Sequence, residues 1–179
     1  MGNEHHTNKL AEAATKKLKE GDYRAALDLF NESLKVDPEM FQRNVFFFSR
    51  RAEAYKQLGY IDEAIQDAKK ANELAGADTY YVQQLAALYR ANKQYDQALQ
   101  LMQPLIDAHE DKVDKGINGT EIYDYLEMAA ICNEAGKQVQ RDQLLRKAAE
   151  LGATDIDLLA YESLYDDLQE TDLLEEFFS

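Results

Sequence analysis

The sequence has no tryptophan, one cysteine, two prolines and eight glycines among its 179 residues. A lone Cys132 cannot close an internal disulfide, so a bridge-stapled scaffold is excluded and a reducing, cytoplasmic setting is expected. Nothing near Met1 has the apolar run of a signal peptide or a membrane span, and no membrane insertion is expected. The two glycosylation-type triplets, Asn31-Glu32-Ser33 and Asn118-Gly119-Thr120, are then chance matches. Basic residues are also scarce: 20 Lys and Arg stand against 34 Asp and Glu, a net charge of −14. That balance opposes phosphate backbones and anionic lipid, which sets nucleic acid aside as a partner. Catalytic chemistry is missing too. There is no Gly-rich phosphate loop, and no nucleophile stands beside a base and a group to orient it. His5 and His6, adjacent in sequence, would point about 100 degrees apart on a helix and form no preformed chelate. His109 reads as a surface residue and Cys132 as inert packing. No enzyme activity, cofactor or metal is expected.

What the sequence does have is 45% apolar residues, enough for the core of one domain, in a background rich in Ala, Leu, Glu, Gln and Lys that favours helix. It also repeats itself. "GDYRAALDLF" at 21–30 returns as "GYIDEAIQDA" at 59–68 and "KQYDQALQLM" at 93–102. Aligned on Ala26, Ala64, Ala98 and a degenerate fourth position, Arg141, the spacings are 38, 34 and 43 residues. Against a unit of about 34 residues, the four extra before the second repeat and nine before the fourth need a place. Asp37-Pro38-Glu39 reads as N-cap, N1 proline and acidic first turn, so the four add a turn to a helix over 38–57. The nine fall in an exposed loop around "VDKGINGT".

Each unit then pairs a first helix (near 8–19, 38–57, 79–91 and 120–135) with a second (near 22–35, 61–75, 95–110 and 138–151). Gly21, Gly59, Lys93 or Gly136 marks the turn between them. Small residues at Ala14, Ala52, Ala86 and Ala129 oppose Ala26, Ala64 and Ala98, letting backbones approach. Tyr55 and Tyr89 fill a large position that Lys17 and Cys132 occupy atypically; Phe30, Met102 and Leu145 fill another, where repeat two has Ala68. Arg141 in place of Ala predicts loose packing or a cap in repeat four, and Pro104 predicts a kink within the second helix of repeat three.

The Gly, aromatic, Ala and apolar positions, in register through three units, resemble the tetratricopeptide repeat family over residues 7 to 155. The resemblance implies an all-α fold, a right-handed α-α superhelix of about four helix pairs whose first helices line a concave groove, because one pair cannot bury both of its apolar faces and stacking copies does. The expected layout is a disordered terminus or tag remnant at 1–6, repeats at about 7–40, 45–78, 79–112 and 122–155, a capping helix at 156–168 begun by Thr154 and Asp157, and an acidic, apolar tail at 169–179. After Lys147 the chain carries ten acidic residues and no basic one.

The stretch "FFFSRRAEAYKQLGYIDEAIQDAKKANEL" is similar to the second repeat of co-chaperone domains that clamp the acidic C-terminal tails of chaperones. At the five clamp positions this chain has Ala11, Thr15, Arg50, Tyr80 and Gln84, none of them the family's residue, so a dicarboxylate clamp is not expected. The groove expected instead is lined by Phe46, Ser49, Arg50, Glu53, Lys56, Tyr80, Gln83, Gln84, Arg90, Tyr123, Leu126 and Glu127, with Asn8, Glu12, Thr15 and Lys19 from repeat one. Phe46, Tyr80 and Tyr123 share one repeat position and form an aromatic row; Lys19, Arg50, Lys56 and Arg90 make a basic middle. The function implied is a non-catalytic adaptor or co-chaperone-like scaffold for a protein or peptide partner. Two alternatives stand beside it: a self-associating or autoregulated scaffold whose tail (Leu173, Leu174, Phe177, Phe178) docks in a groove of its own or of a second copy as a homo-oligomer, and a small acidic secretion chaperone.

Overall fold

Short turns between long amphipathic helices, written into the repeats, set the architecture of the computed structural model, which describes residues 2–76, 78–110, 120–171 and 173–178. Among these residues there are twelve helices and no strand: α1 (Gly2–Lys19), α2 (Tyr23–Val36), α3 (Pro38–Arg43), α4 (Val45–Gln57), α5 (Ile61–Ala75), α6 (Thr79–Ala91), α7 (Tyr95–Glu110), α8 (Thr120–Glu134), α9 (Gln138–Glu150), α10 (Asp155–Leu158), α11 (Glu162–Glu170) and α12 (Leu173–Phe178). They form two compact units, Met1–Asn92 and Lys93–Ser179. The loop expected around residues 113–119 lies outside the described residues.

The turns repeat at the level of backbone bonds. Gly59 and Gly136 adopt φ of 79° and 71°, the left-handed conformation that glycine takes without a Cβ clash. The N–H one residue later bonds back across the helix end: Asp22 to the Lys17 carbonyl at 3.0 Å, Tyr60 to Tyr55 at 2.9 Å, Lys137 to Cys132 at 2.8 Å. The third turn has no glycine, and Lys93 takes φ of 58° there instead.

In the first unit, Ala14, Ala26, Ala52, Ala64 and Ala86 are fully buried, as the close crossings require. Phe30, Phe41, Phe47 and Phe48 fill the space beside them, and Phe41 packs 5.2 Å from both Phe47 and Phe48, centroid to centroid. Two boundaries differ from expectation. The helix expected over 38–57 breaks at Asn44, whose extended backbone (φ −105°, ψ 106°) and side chain cap α4 by accepting from the Phe46 N–H at 3.0 Å. The break lets Phe41, on its own short helix, turn inward to meet α4. Asp37 does cap α3 as expected, accepting from the Met40 N–H at 3.0 Å. Residues 2–6, expected to be disordered or a tag remnant, belong to α1, which is anchored through buried Thr7: its carbonyl accepts from Ser33 Oγ at 3.2 Å.

Between α4 and α5 lies a buried ion pair. Arg51 donates from Nε and Nη2 to the two oxygens of Asp67 at 2.6 and 2.8 Å and from Nη1 to Asn31 Oδ1 at 3.1 Å, while its guanidinium lies 4.7 Å from the Phe41 ring centroid. Burial pushes the Asp67 carboxyl above its ordinary value, and Arg51 pulls it back.

In the second unit, Ala98, Met102, Ala129 and Leu145 are fully buried. Pro104 lies in α7 without ending it, its ring on the exposed side. His109, expected at the surface, is largely buried between α7 and α8: Nε2 stands 2.8 Å from Asp124 Oδ2 and Nδ1 3.7 Å from Glu121 Oε1. Cys132 is buried as expected, and burial drives its thiol up to about 11.

Arg141 does not loosen repeat four. It is 3% exposed, and its guanidinium donates to Asp142 and Asn133, each at 2.8 Å, and to Asp167 on α11. The C-terminal cap is two helices rather than one. Thr154 and Asp157 form the predicted capping box of α10, and the chain then breaks before α11, whose Leu164 and Leu168 are buried with Leu158 and Tyr161. The tail turns back as α12, seated on α9 and α11, with Phe177 buried.

Candidate functional site

The first helices of the first unit present the residues most suited to hold a partner. Asn8, Glu12, Thr15, Lys16 and Lys19 from α1 and Asn44, Phe46 and Phe47 from the start of α4 line one cleft of about 630 Å³. The cap at Asn44 starts α4 one residue before Phe46, and so fixes where that ring stands. Phe46 also borders a second depression of about 660 Å³, shared with Met40, Arg43 and Tyr81, so it forms a ridge between two hollows. It is 39% exposed, and Arg50 lies 5.4 Å from its ring centroid while pairing with Glu53 at 2.9 Å. A cation over an aromatic face is held by the ring quadrupole, which orients Arg50 beside the cleft.

α4 and α6 meet through Ser49 and Gln84. Ser49 Oγ donates to Gln84 Oε1 at 3.0 Å, and Gln84 Nε2 returns a bond to the Ser49 carbonyl at 3.4 Å. Ser49 is 3% exposed, so it is spent on positioning α6 and is not available to a ligand as the sequence suggested. Tyr80 is 52% exposed, with Tyr81 edge-on at 5.1 Å. Gln83 and Arg90 are half-buried, and Lys56 is exposed.

In the second unit, Tyr123 is 47% exposed on α8, its hydroxyl 3.4 Å from Asp157 Oδ1. Leu126 corrects an expectation: it is fully buried and belongs to the core, because α8 is covered by α7, α9 and α11 and little of its surface is left for a groove. Glu127 is half-buried. All three aromatics of the predicted row are therefore exposed, while Ser49 and Leu126 are not. The sequence reading missed Asn44 and Lys16 in the cleft. The Asn before "VFFF" was the available signal, since Asn is a favoured N-cap.

A family model for the tetratricopeptide repeat matches residues 48–78, which is repeat two. Human DnaJ homolog subfamily C member 7 is 33% identical over 90 residues, covering 49% of this chain and 18% of that protein. The Hsp70-Hsp90 organizing protein of Triticum aestivum is 27% identical over 135 residues, covering 63% of this chain and 22% of that one. The chain thus spans less than a quarter of either relative. Among solved structures, the MamA protein matches with a TM-score of 0.70 at 19% identity, over 98% of this chain and 87% of that one. A thermophilic TPR protein of Thermus thermophilus matches with a TM-score of 0.62 at 18% identity, over 94% and 86%. Sequence match and fold likeness converge: the chain carries a tetratricopeptide repeat at residues 48–78 and, along nearly its whole length, shares the fold of solved tetratricopeptide-repeat structures.

Proposed function

We propose that the protein is a non-catalytic, cytosolic adaptor whose first unit holds a partner segment of mixed apolar and acidic character along the inner faces of α1, α4 and α6. The observation that carries this is the cleft where Asn8, Glu12, Thr15 and Lys19 meet the exposed Phe46. Phe46 and Tyr80 are the anchors, since exposed aromatics that become desolvated dominate interface energies. Lys19, which has no carboxylate partner among the described residues, and Arg50 at the ring of Phe46 receive the acidic groups. Recognition does not run through a dicarboxylate clamp: Ala11 is buried and Thr15 spends its hydroxyl on the Ala11 carbonyl at 2.8 Å. Tyr123 and Glu127 on α8 are the corresponding contact residues of the second unit.

The test uses peptides selected on the wild-type protein from a displayed library and titrated by calorimetry. Phe46→Ala with Tyr80→Ala should weaken them by roughly 30-fold or more, the effect of losing aromatic hot spots. Val139→Ala, at a position 76% exposed on α9, serves as the control and should change nothing. Equal affinity for the double variant and the wild type would sink the assignment.

A further inference from the structure

α12 carries four large apolar side chains, and its seat buries one of them. Phe177 is buried, whereas Leu173, Leu174 and Phe178 are only half-buried. Arg146 on α9 grips the segment twice: its guanidinium lies 5.3 Å from the Phe177 ring centroid, and it pairs with Glu176 at 3.2 Å. Both members of that pair are more than half exposed, so the grip is specific in pattern and weak in energy. Six residues are too few to hold a helix in water alone, so α12 is helical because it is seated.

We propose that α12 is an exchangeable docking segment whose second seat is α9 of another copy of this chain, so that two chains trade tails reciprocally. The only ligand whose fit to the Arg146 seat is visible is this segment itself, and a second copy supplies it unchanged. Exchange remakes the same contacts in trans, which makes domain swapping a low-cost route to dimers. Leu173, Leu174 and Phe178 stay half-covered in the remade seat, and the added burial that favours the dimer comes where the rest of the second chain closes over them. This proposal is independent of the cleft in the first unit, and either can fail alone.

Charge reversal separates exchange from a tail that stays in place. Arg146→Glu and Glu176→Arg, made in separate chains, each set like charges against one another, both within a chain and between identical chains. In an equimolar mixture only exchange between unlike chains brings opposite charges together, and it does so at both seats at once. Native mass spectrometry is run near the millimolar effective concentration that a short tether creates. The heterodimer should exceed either homodimer by about tenfold, and Phe177→Ala in both chains should abolish it. The chain carrying both reversals re-pairs in place and should match the wild type in circular dichroism and oligomeric state, which controls for folding. A mixture that stays monomeric, dimers in statistical proportion, or a heterodimer that survives Phe177→Ala would overturn the proposal.

Discussion

Repeats two and four each bury one arginine, but at different positions and with different consequences. In repeat two the crossing residue is Ala64, and the arginine is Arg51, held by both oxygens of Asp67 from the same repeat. In repeat four the positions corresponding to Arg51 and Asp67 are Met128 and Leu144, both buried and apolar, while Arg141 stands where Ala64 does. Of its two carboxylates, Asp142 is its neighbour on α9 and Asp167 comes from α11, beyond the repeat. A cation at a helix crossing can thus be neutralised from within its own helix pair or from an added element. The first arrangement makes repeat two self-contained in charge, its outside contacts being to neutral Asn31 and Phe41, and the second adds to the local Asp142 a carboxylate that ties repeat four to the C-terminal helices.

The largest expected effect is at Asp67. Its side chain and that of Arg51 are 9% and 11% exposed, so Asp67→Ala strands a buried guanidinium and should cost about 3 to 5 kcal/mol in chemical denaturation. The comparison suggests a rescue. Arg51→Met combined with Asp67→Leu writes repeat four's apolar pair into repeat two, and buried ion pairs replaced by apolar residues of similar volume are often neutral. Most of the lost stability should return, less the contact of Arg51 with the Phe41 ring. A double variant as unstable as Asp67→Ala would show that the two repeats do not share this crossing.

Arg141→Ala should cost about 2 to 3 kcal/mol, less than Asp67→Ala because the carboxylate left behind on Asp167 is 41% exposed and can be solvated. The loss should be local to the second unit. Cys132 reports it: with its thiol pushed up to about 11, the native protein should react very slowly with a disulfide reagent at neutral pH. Arg141→Ala should speed that reaction at denaturant concentrations below the unfolding transition, and Asp67→Ala should speed it less. Equal acceleration by both variants would contradict the division into a self-contained and a dependent repeat.

Ala64→Leu examines the other half of the comparison. Ala64 is fully buried at the crossing of α4 and α5, and a larger side chain there should overpack it and cost about 1 to 3 kcal/mol. A melting temperature equal to the parent's would mean that repeat two has the spare room that repeat four uses for Arg141.

Most of the helix pairs were legible in the sequence because they follow from local rules repeated in register. Gly59 and Gly136 fix the turns, Ala64 and Ala98 fix the crossings, and even the glycine-free turn at Lys93 sits where the period places it. What was not legible depends on partners distant in sequence. Asn44 breaks a helix whose apolar spacing is unbroken, because the reward for the break is the packing of Phe41 on Phe47 and Phe48. Nothing local to Arg141 reveals Asp167, and nothing near His109 reveals Asp124. The same limit applies to the candidate site. Repeat position identified Phe46, Tyr80 and Tyr123 as exposed, but it could not show that Ser49 is consumed by Gln84 or that Leu126 is roofed over.

The smallest effect lies at the start of α10, where the elements on which repeat four depends begin. The Asp157 carboxylate accepts from the Thr154 N–H at 2.8 Å and the Thr154 hydroxyl at 2.9 Å, with the Tyr123 hydroxyl at 3.4 Å. The backbone bond from Thr154 is the main cause that holds this carboxyl below its ordinary 3.8; burial opposes it, and the Thr154 and Tyr123 hydroxyls each add a smaller lowering. A carboxyl depressed in the folded state stabilises that state above its unfolded value and stops doing so as pH falls through its folded value. Asp157→Asn keeps one acceptor but removes the charge from the helix N-terminus, and should cost about 0.5 to 1 kcal/mol at pH 6. The gap between variant and parent should close as the pH drops below about 4, the ordinary range of an aspartate. A gap that persists unchanged at pH 3 would mean that shape rather than charge holds the cap, and that α10 does not rely on the ionised box.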